Sequence, residues 1–133
     1  MALSVITGRT ITLEIDGVQY SDQLSSATLT INRTDEQYVT FTDSAPAAGP
    51  ATATLTVRGY QDWSNGTPPA VDGWSRAMWD AAVAGSTVAF ELVVDAGTFT
   101  GDILPVFPTG GGDANAALET EMTFQCVGIP ALA

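Results

Sequence analysis

The segment Ala27–Gly59, ATLTINRTDEQYVTFTDSAPAAGPATATLTVRG, decides the fold. Its two flanks alternate with period two. Ala27, Leu29 and Ile31 fall on one side of a strand, with Thr28, Thr30 and Asn32 on the other. Ala53, Leu55 and Val57 alternate in the same way with Thr52, Thr54, Thr56 and Arg58. This pattern marks half-buried β-strands. Between them lies Thr34–Pro50, whereas a hairpin loop usually has about two to five residues. The connection opens on Asp35 and Glu36 and alternates like a strand through Val39 and Phe41. It has a short β-like core over Gln37–Thr42 and closes on Ala, Gly and Pro. A connection this long is either disordered or functional.

The same rhythm runs outward. Ile11, Leu13 and Ile15 oppose Thr10, Thr12 and Glu14, and Asp16-Gly17 then signals a type I′ hairpin returning over Val18–Tyr20. Val88, Phe90, Leu92 and Val94 share a face of a strand starting near Thr87. A turn at Asp95-Ala96-Gly97 leads that strand into Thr98–Leu104. A last strand over Leu118–Val127 sets Leu118, Met122, Phe124 and Cys126 opposite Glu119, Glu121, Thr123 and Gln125. One stretch breaks the pattern. In DGWSRAMWDAAVAG, Trp74, Ala77, Met78 and Ala81 recur at helical spacing, Asp72 is a candidate N-cap, and Gly85 suits the position past the end. Arg76 and Asp80 stand one turn apart for a weak ion pair. Trp79 falls off the apolar stripe, which points either to a subunit interface or to a neighbouring loop. These elements predict a mainly β chain: one domain over 1–133, an antiparallel β-sandwich or barrel of about seven or eight strands with one α-helix.

Composition narrows the function. With 133 residues and 45% hydrophobic content the chain can bury a core. A net charge of −11, with four cationic residues and no His, argues against a phosphate-neutralising nucleic-acid binder and against attraction to anionic membranes. The start, MALSVITGRT, reads as no signal peptide, and no apolar run of about 18 residues is present to span a bilayer. The one cysteine, Cys126, reads as a small core residue.

Enzymatic chemistry finds little support. Without His or Lys, serine has no ordinary base. Glu119 and Glu121 share a strand face, but any strand gives that spacing. The loop GGGDAN, with Asp113 and Asn115, falls well short of a calcium loop and has no P-loop lysine. No cofactor or metal is expected. What remains is a set of strand faces rich in threonine. They are either the wet side of a sandwich or the lining of a channel closed by several copies.

The layout resembles the tail tube protein, or major tail protein, of long non-contractile phage tails. The features that carry the likeness are the strand pair around Thr34–Pro50, the lone helix and the hairpin after it. FTGDILPVFPTGGG followed by MTFQCVG adds to them. The resemblance implies a structural virion protein assembled in the host cytoplasm. On that likeness it would form homo-hexameric rings that stack into the tail tube, with other phage tail proteins as further partners, and let genomic DNA pass through a lumen without binding it. The long connection then becomes an assembly arm reaching a neighbouring copy, with Asp35, Glu36, Tyr38, Val39 and Phe41 as its contact residues and Trp79 as a further interface. Glu91, Glu119, Glu121 and Thr123 become the candidate lumen residues, where carboxylates and hydroxyls repel or ignore phosphate. The rivals are a tail terminator or baseplate ring, an injection-system tube, and a carbohydrate-binding sandwich using Trp63, Trp74 or Trp79.

Overall fold

Apolar residues at every second position need a second apolar surface, and the chain supplies one by rolling a single sheet over itself. A computed structural model describes residues 11–33, 35–47, 49–66 and 71–133. Thr10, the arm positions Thr34 and Ala48, and the side chain of Glu36 lie outside the described part. The elements are β1 (Thr12–Ile15), β2 (Val18–Gln19), β3 (Leu24–Arg33), β4 (Glu36–Val39), β5 (Ser44–Ala47), β6 (Ala51–Tyr60), α1 (Trp74–Ala84), β7 (Val88–Val94), β8 (Gly97–Leu104), β9 (Glu119–Cys126) and β10 (Ala131–Leu132).

The main sheet is antiparallel with strand order β2-β1-β7-β8-β9-β6-β3, and β10 pairs with β8 off this path. The expected hairpins form. Asp16 and Gly17 both take positive φ, 53° and 79°, as a type I′ turn demands. β7 and β8 pair from Val88↔Ile103 to Val94↔Gly97. The sheet bends at β9. Thr54↔Gln125 through Tyr60↔Glu119 tie β9 to β6, whereas β8 meets it only at Ile103↔Cys126 and Leu104↔Gln125. The chain then continues along β8 as β10, an element too short for periodicity to reveal. The inner faces of both halves share one buried cluster. Leu13, Ile15, Phe90, Leu92 and Ile103 come from one side, and Leu55, Val57, Met122 and Phe124 from the other. The predicted sandwich-like β fold with one helix is what the chain adopts.

Helix α1 docks where β6 ends and β3 begins. Trp74 and Met78 bury into the core, and the Trp74 indole N–H donates to the Tyr60 carbonyl at 2.6 Å. The start of the helix differs from expectation. Gly73 is the N-cap, and Asp72 instead accepts the Gly66 N–H at 2.7 Å. The orphan donors of the first turn go to partners distant in sequence: Trp74 N–H to the Gln23 side chain at 3.0 Å, Ser75 N–H to the Asp62 carbonyl at 3.1 Å. Gly85 closes the helix in the left-handed conformation, as expected. Arg76 does not pair with Asp80; its Nε donates to the Trp63 carbonyl at 2.8 Å.

Gly73 is required because the loop at Asp62 passes directly against it, and a Cβ there would run into the Asp62 carboxylate and backbone. Gly73→Ala should therefore destabilise the fold by roughly 2–3 kcal/mol through forced separation of helix and loop. Chemical denaturation measures this, and an unchanged midpoint would show that the contact yields freely.

Candidate assembly surfaces

The polar sides of β3, β6 and β9 form one continuous wall. Antiparallel register aligns their outward residues in rows: Thr30–Thr54–Gln125, Thr28–Thr56–Thr123, Ser26–Arg58–Glu121, and Tyr60–Glu119 at the end. The hydroxyls of Thr56 and Thr123 approach to 3.4 Å. Arg58 reaches diagonally to Glu119, with Nη2 donating to Oε2 at 2.8 Å, and this bond raises the arginine pKa. The register therefore brings three of the expected lumen residues, Glu119, Glu121 and Thr123, onto one surface. It also adds Arg58, so the wall carries two acids against one base.

Glu91 does not belong to that wall. It lies on β7, opposite Glu14 of β1 and Thr100 of β8, on the layer across the core. Strand parity could not separate these layers, because both present alternating polar residues outward. One wall cannot hold Glu91 together with the β9 acids.

The wall ends in an open edge. β3 terminates the strand order, and among the described residues nothing pairs with its far side. Leu24–Asn32 carries no charged residue in a chain with fifteen acids. Solitary edge strands usually carry charge or proline to block further pairing; over Leu24–Asn32 this edge has neither, and Arg33 at its end is paired with Asp35.

The arm is a ribbon and not a single strand awaiting a sheet. β4 and β5 pair with each other from Glu36↔Ala47 to Val39↔Ser44 and, among the described residues, with no other strand. The backbone of the expected β-like core, Gln37–Thr42, is thus partly satisfied within the arm. At the tip the Thr40 N–H donates to the Asp43 carbonyl at 2.7 Å, the Asp43 N–H to the Thr40 hydroxyl at 3.1 Å, and the Ser44 N–H to the Asp43 carboxylate at 2.8 Å. This tight turn pushes Phe41 outward, fully exposed, with Tyr38 and Val39 exposed behind it. At the root, Arg33 and Asp35 form an exposed ion pair at 2.8 Å. Burying one large apolar side chain stabilises by about 1.5–3 kcal/mol, and an isolated monomer forgoes that at Phe41.

A third surface is aromatic. Trp79 is 45% exposed and stands edge-on between Trp63 and Phe107, with ring centroids 6.2 Å and 4.9 Å away. Trp79 therefore does lie against neighbouring loops, yet remains accessible. Trp63, Arg76, Trp79 and Asp80 line a hollow of about 260 Å³. Gln61 holds Trp63, one of the lining residues, in place. Its amide donates to the carbonyls of Gly111 and Glu119 and accepts from the Trp63 indole and the Gly111 N–H, all within 3.1 Å. Nearby, the Ser64 side chain and backbone hold the Asp62 carboxyl below the usual carboxylate range. Trp74 is fully buried, which removes it as a sugar platform. Sequence reading missed Gln61 and Phe107, because their partners lie far along the chain. Among the described residues no group of three or more His, Cys, Asp or Glu side chains gathers to hold a metal.

No protein-family profile matches the sequence, and no curated protein matches it significantly. Solved structures do match in fold. A chain in the virion of a native gene transfer agent particle aligns with a TM-score of 0.75 at 12% identity, covering 97% of this chain and 99% of the other. A chain from the tail of an empty gene transfer agent particle, with C6 symmetry, aligns with a TM-score of 0.64 at 16% identity over 84% and 81%. A chain of the six-fold symmetrised anti-feeding prophage baseplate aligns with a TM-score of 0.56 at 14% identity over 100% and 97%. The fold is thus shared with chains of phage-like tail and baseplate particles.

Because β4 and β5 pair, among the described residues, only with each other, the body should fold without them. Deleting Asp35–Ala48 and closing the gap with a short glycine-containing turn should leave a cooperative unfolding transition, since loop length changes closure cost by only about 0.6 kcal/mol per doubling. Circular dichroism of the deletion variant checks this. Loss of the cooperative transition would make the ribbon part of the folding unit.

Proposed function

We propose that this chain, acting as one domain with an arm, is the subunit of a phage-like tail tube. Homo-hexameric rings close around a lumen and stack, and DNA passes through without being held. The observation that carries the reading is the hydroxyl-rich wall of β3, β6 and β9 ending in the uncharged open edge of β3. A heterologous contact that adds this edge to the next copy generates a ring when the rotation closes. The wall then becomes the lumen lining. Threonine hydroxyls carry no charge for phosphate to grip, and Glu119 and Glu121 outweigh Arg58, whose guanidinium is already engaged. The six-fold symmetry named for two of the structural neighbours supports this arrangement. The arm and Trp79 supply contacts between copies.

The likeness to a prophage baseplate chain favours a second reading, a baseplate ring component. Purified tube protein grows into long hollow filaments, whereas a baseplate component stops at one ring.

If the wall lines a lumen, converting Glu119 and Glu121 to Lys in every copy replaces a repelling surface with a phosphate-binding one, multiplied by the ring symmetry. Assembled tubes of the double variant should retain duplex DNA at low salt. The log of affinity should fall by about 0.9 per neutralised phosphate per decade of salt. Wild-type tubes should retain none. Equal DNA retention by variant and wild type across the salt series would take these residues out of the lumen.

A further inference from the structure

We infer that the aromatic hollow on α1 is the receptor for the arm tip of a second copy of this chain, so that one copy's Phe41 seats against another's Trp63 and Trp79 while its Asp43 meets Arg76. The inference rests on the tube reading and names the contact that would join one ring to the next.

Three observations select this pair. The first is position. The arm grows from Arg33 and Ala51 at one end of the β3–β6 hairpin, and Trp63 follows Tyr60 at the other. Ten residues of strand separate these ends by about 33 Å. Among the described residues the ribbon pairs with no other strand of its own chain, so its tip is free to leave its own hollow and meet that of another copy. A contact that joins the two ends of identical subunits is heterologous and propagates as an open stack.

The second is chemistry. The tip presents an exposed phenyl ring beside a carboxylate, held in shape by the Thr40–Asp43 bonds. The hollow presents exposed aromatic edges beside a guanidinium. Among the described arginines, Arg33 and Arg58 are paired with carboxylates, whereas Arg76 has only its Nε engaged, on a carbonyl. Its terminal nitrogens suit an incoming carboxylate. Asp80 lines the same hollow and works against an acidic guest, which sets the sign of a further variant.

The third is preorganisation. Gln61 fixes Trp63 through its indole N–H, Arg76 fixes the Trp63 carbonyl, and Phe107 braces Trp79. A rigid receptor and a rigid tip lose little freedom on contact. Two further apolar grooves, about 360 Å³ between Ile31, Leu92 and Phe99 and about 230 Å³ beside Leu13 and Leu24, contain no charged group to answer Asp43 and lie along the same β3 edge that ring closure would cover.

The test is self-association of the full-length chain by sedimentation, whatever species forms, with circular dichroism to confirm that each variant is folded. Phe41→Ala and Arg76→Glu should each raise the concentration for assembly by at least roughly tenfold. Asp80→Asn should lower it. Combining Arg76→Glu with Asp43→Arg should recover part of the lost assembly, because the ion pair is remade with its charges exchanged while the bond from residue 76 to the Trp63 carbonyl is not. Unchanged assembly in folded Arg76→Glu, or no recovery in the exchanged pair, overturns the docking. Wild-type tubes with unaffected variants would refute this contact alone. A wild type that associates without forming tubes, yet obeys the charge exchange, would refute the tube reading alone. A wild type that stays monomeric refutes both.

Discussion

The structure depends on β6 being buried on one side only. Ala53, Leu55 and Val57 enter the core from this strand, and Thr52, Thr54, Thr56 and Arg58 leave it on the other side. β3 and β9 flank it in registers set by that parity, because a slip of one residue would turn every inward side chain outward. The threonine wall is therefore a consequence of the core. Whatever holds Leu55 and Phe124 in contact inside also aligns Thr56 with Thr123 outside. The wall keeps its pattern while the core is packed, so in the proposed tube its lining would inherit the rigidity of the hydrophobic cluster.

The two ends of the same hairpin have different tasks. At one end α1 is clamped by Gly73 and by bonds from Gln23, Asp62 and Tyr60, leaving little freedom. At the other, the arm is a two-stranded ribbon with its apolar tip outside the core. Stability concentrates at the helix end and exposed contact area at the arm end. This polarity suits a subunit whose neighbours lie beyond its ends, and in the proposed ring the open edge of β3 would be the lateral contact.

The parts that local periodicity governs were legible in the sequence. Strand parity placed Glu119, Glu121 and Thr123 together, Asp16-Gly17 marked its turn, and Gly85 marked the helix end. What depends on contacts distant in sequence was not legible. Asp72 looks like an N-cap, but the loop at Asp62 supplies carbonyl acceptors that make a side-chain cap unnecessary. Gln61 has no local signal for its four bonds, and Phe107 sits in a Gly/Pro-rich loop with no periodicity to place its ring. Glu91 shares the polar parity of the wall yet lies on the opposite layer, a distinction that needs the fold of the whole sheet. The arm was visible as an anomaly of length, whereas its ribbon form arises from pairing between Gln37 and Pro46 that no alternation announces.

The most direct measurement is a three-dimensional reconstruction of the purified, assembled protein by electron microscopy. The account predicts stacked six-fold rings around an open channel. The β3 edge of each copy should be joined to the next, and Thr54, Thr56 and Thr123 should face the channel. A ring in which that wall faces outer solvent and the β1–β7–β8 layer lines the channel, or particles with no channel at all, would contradict it.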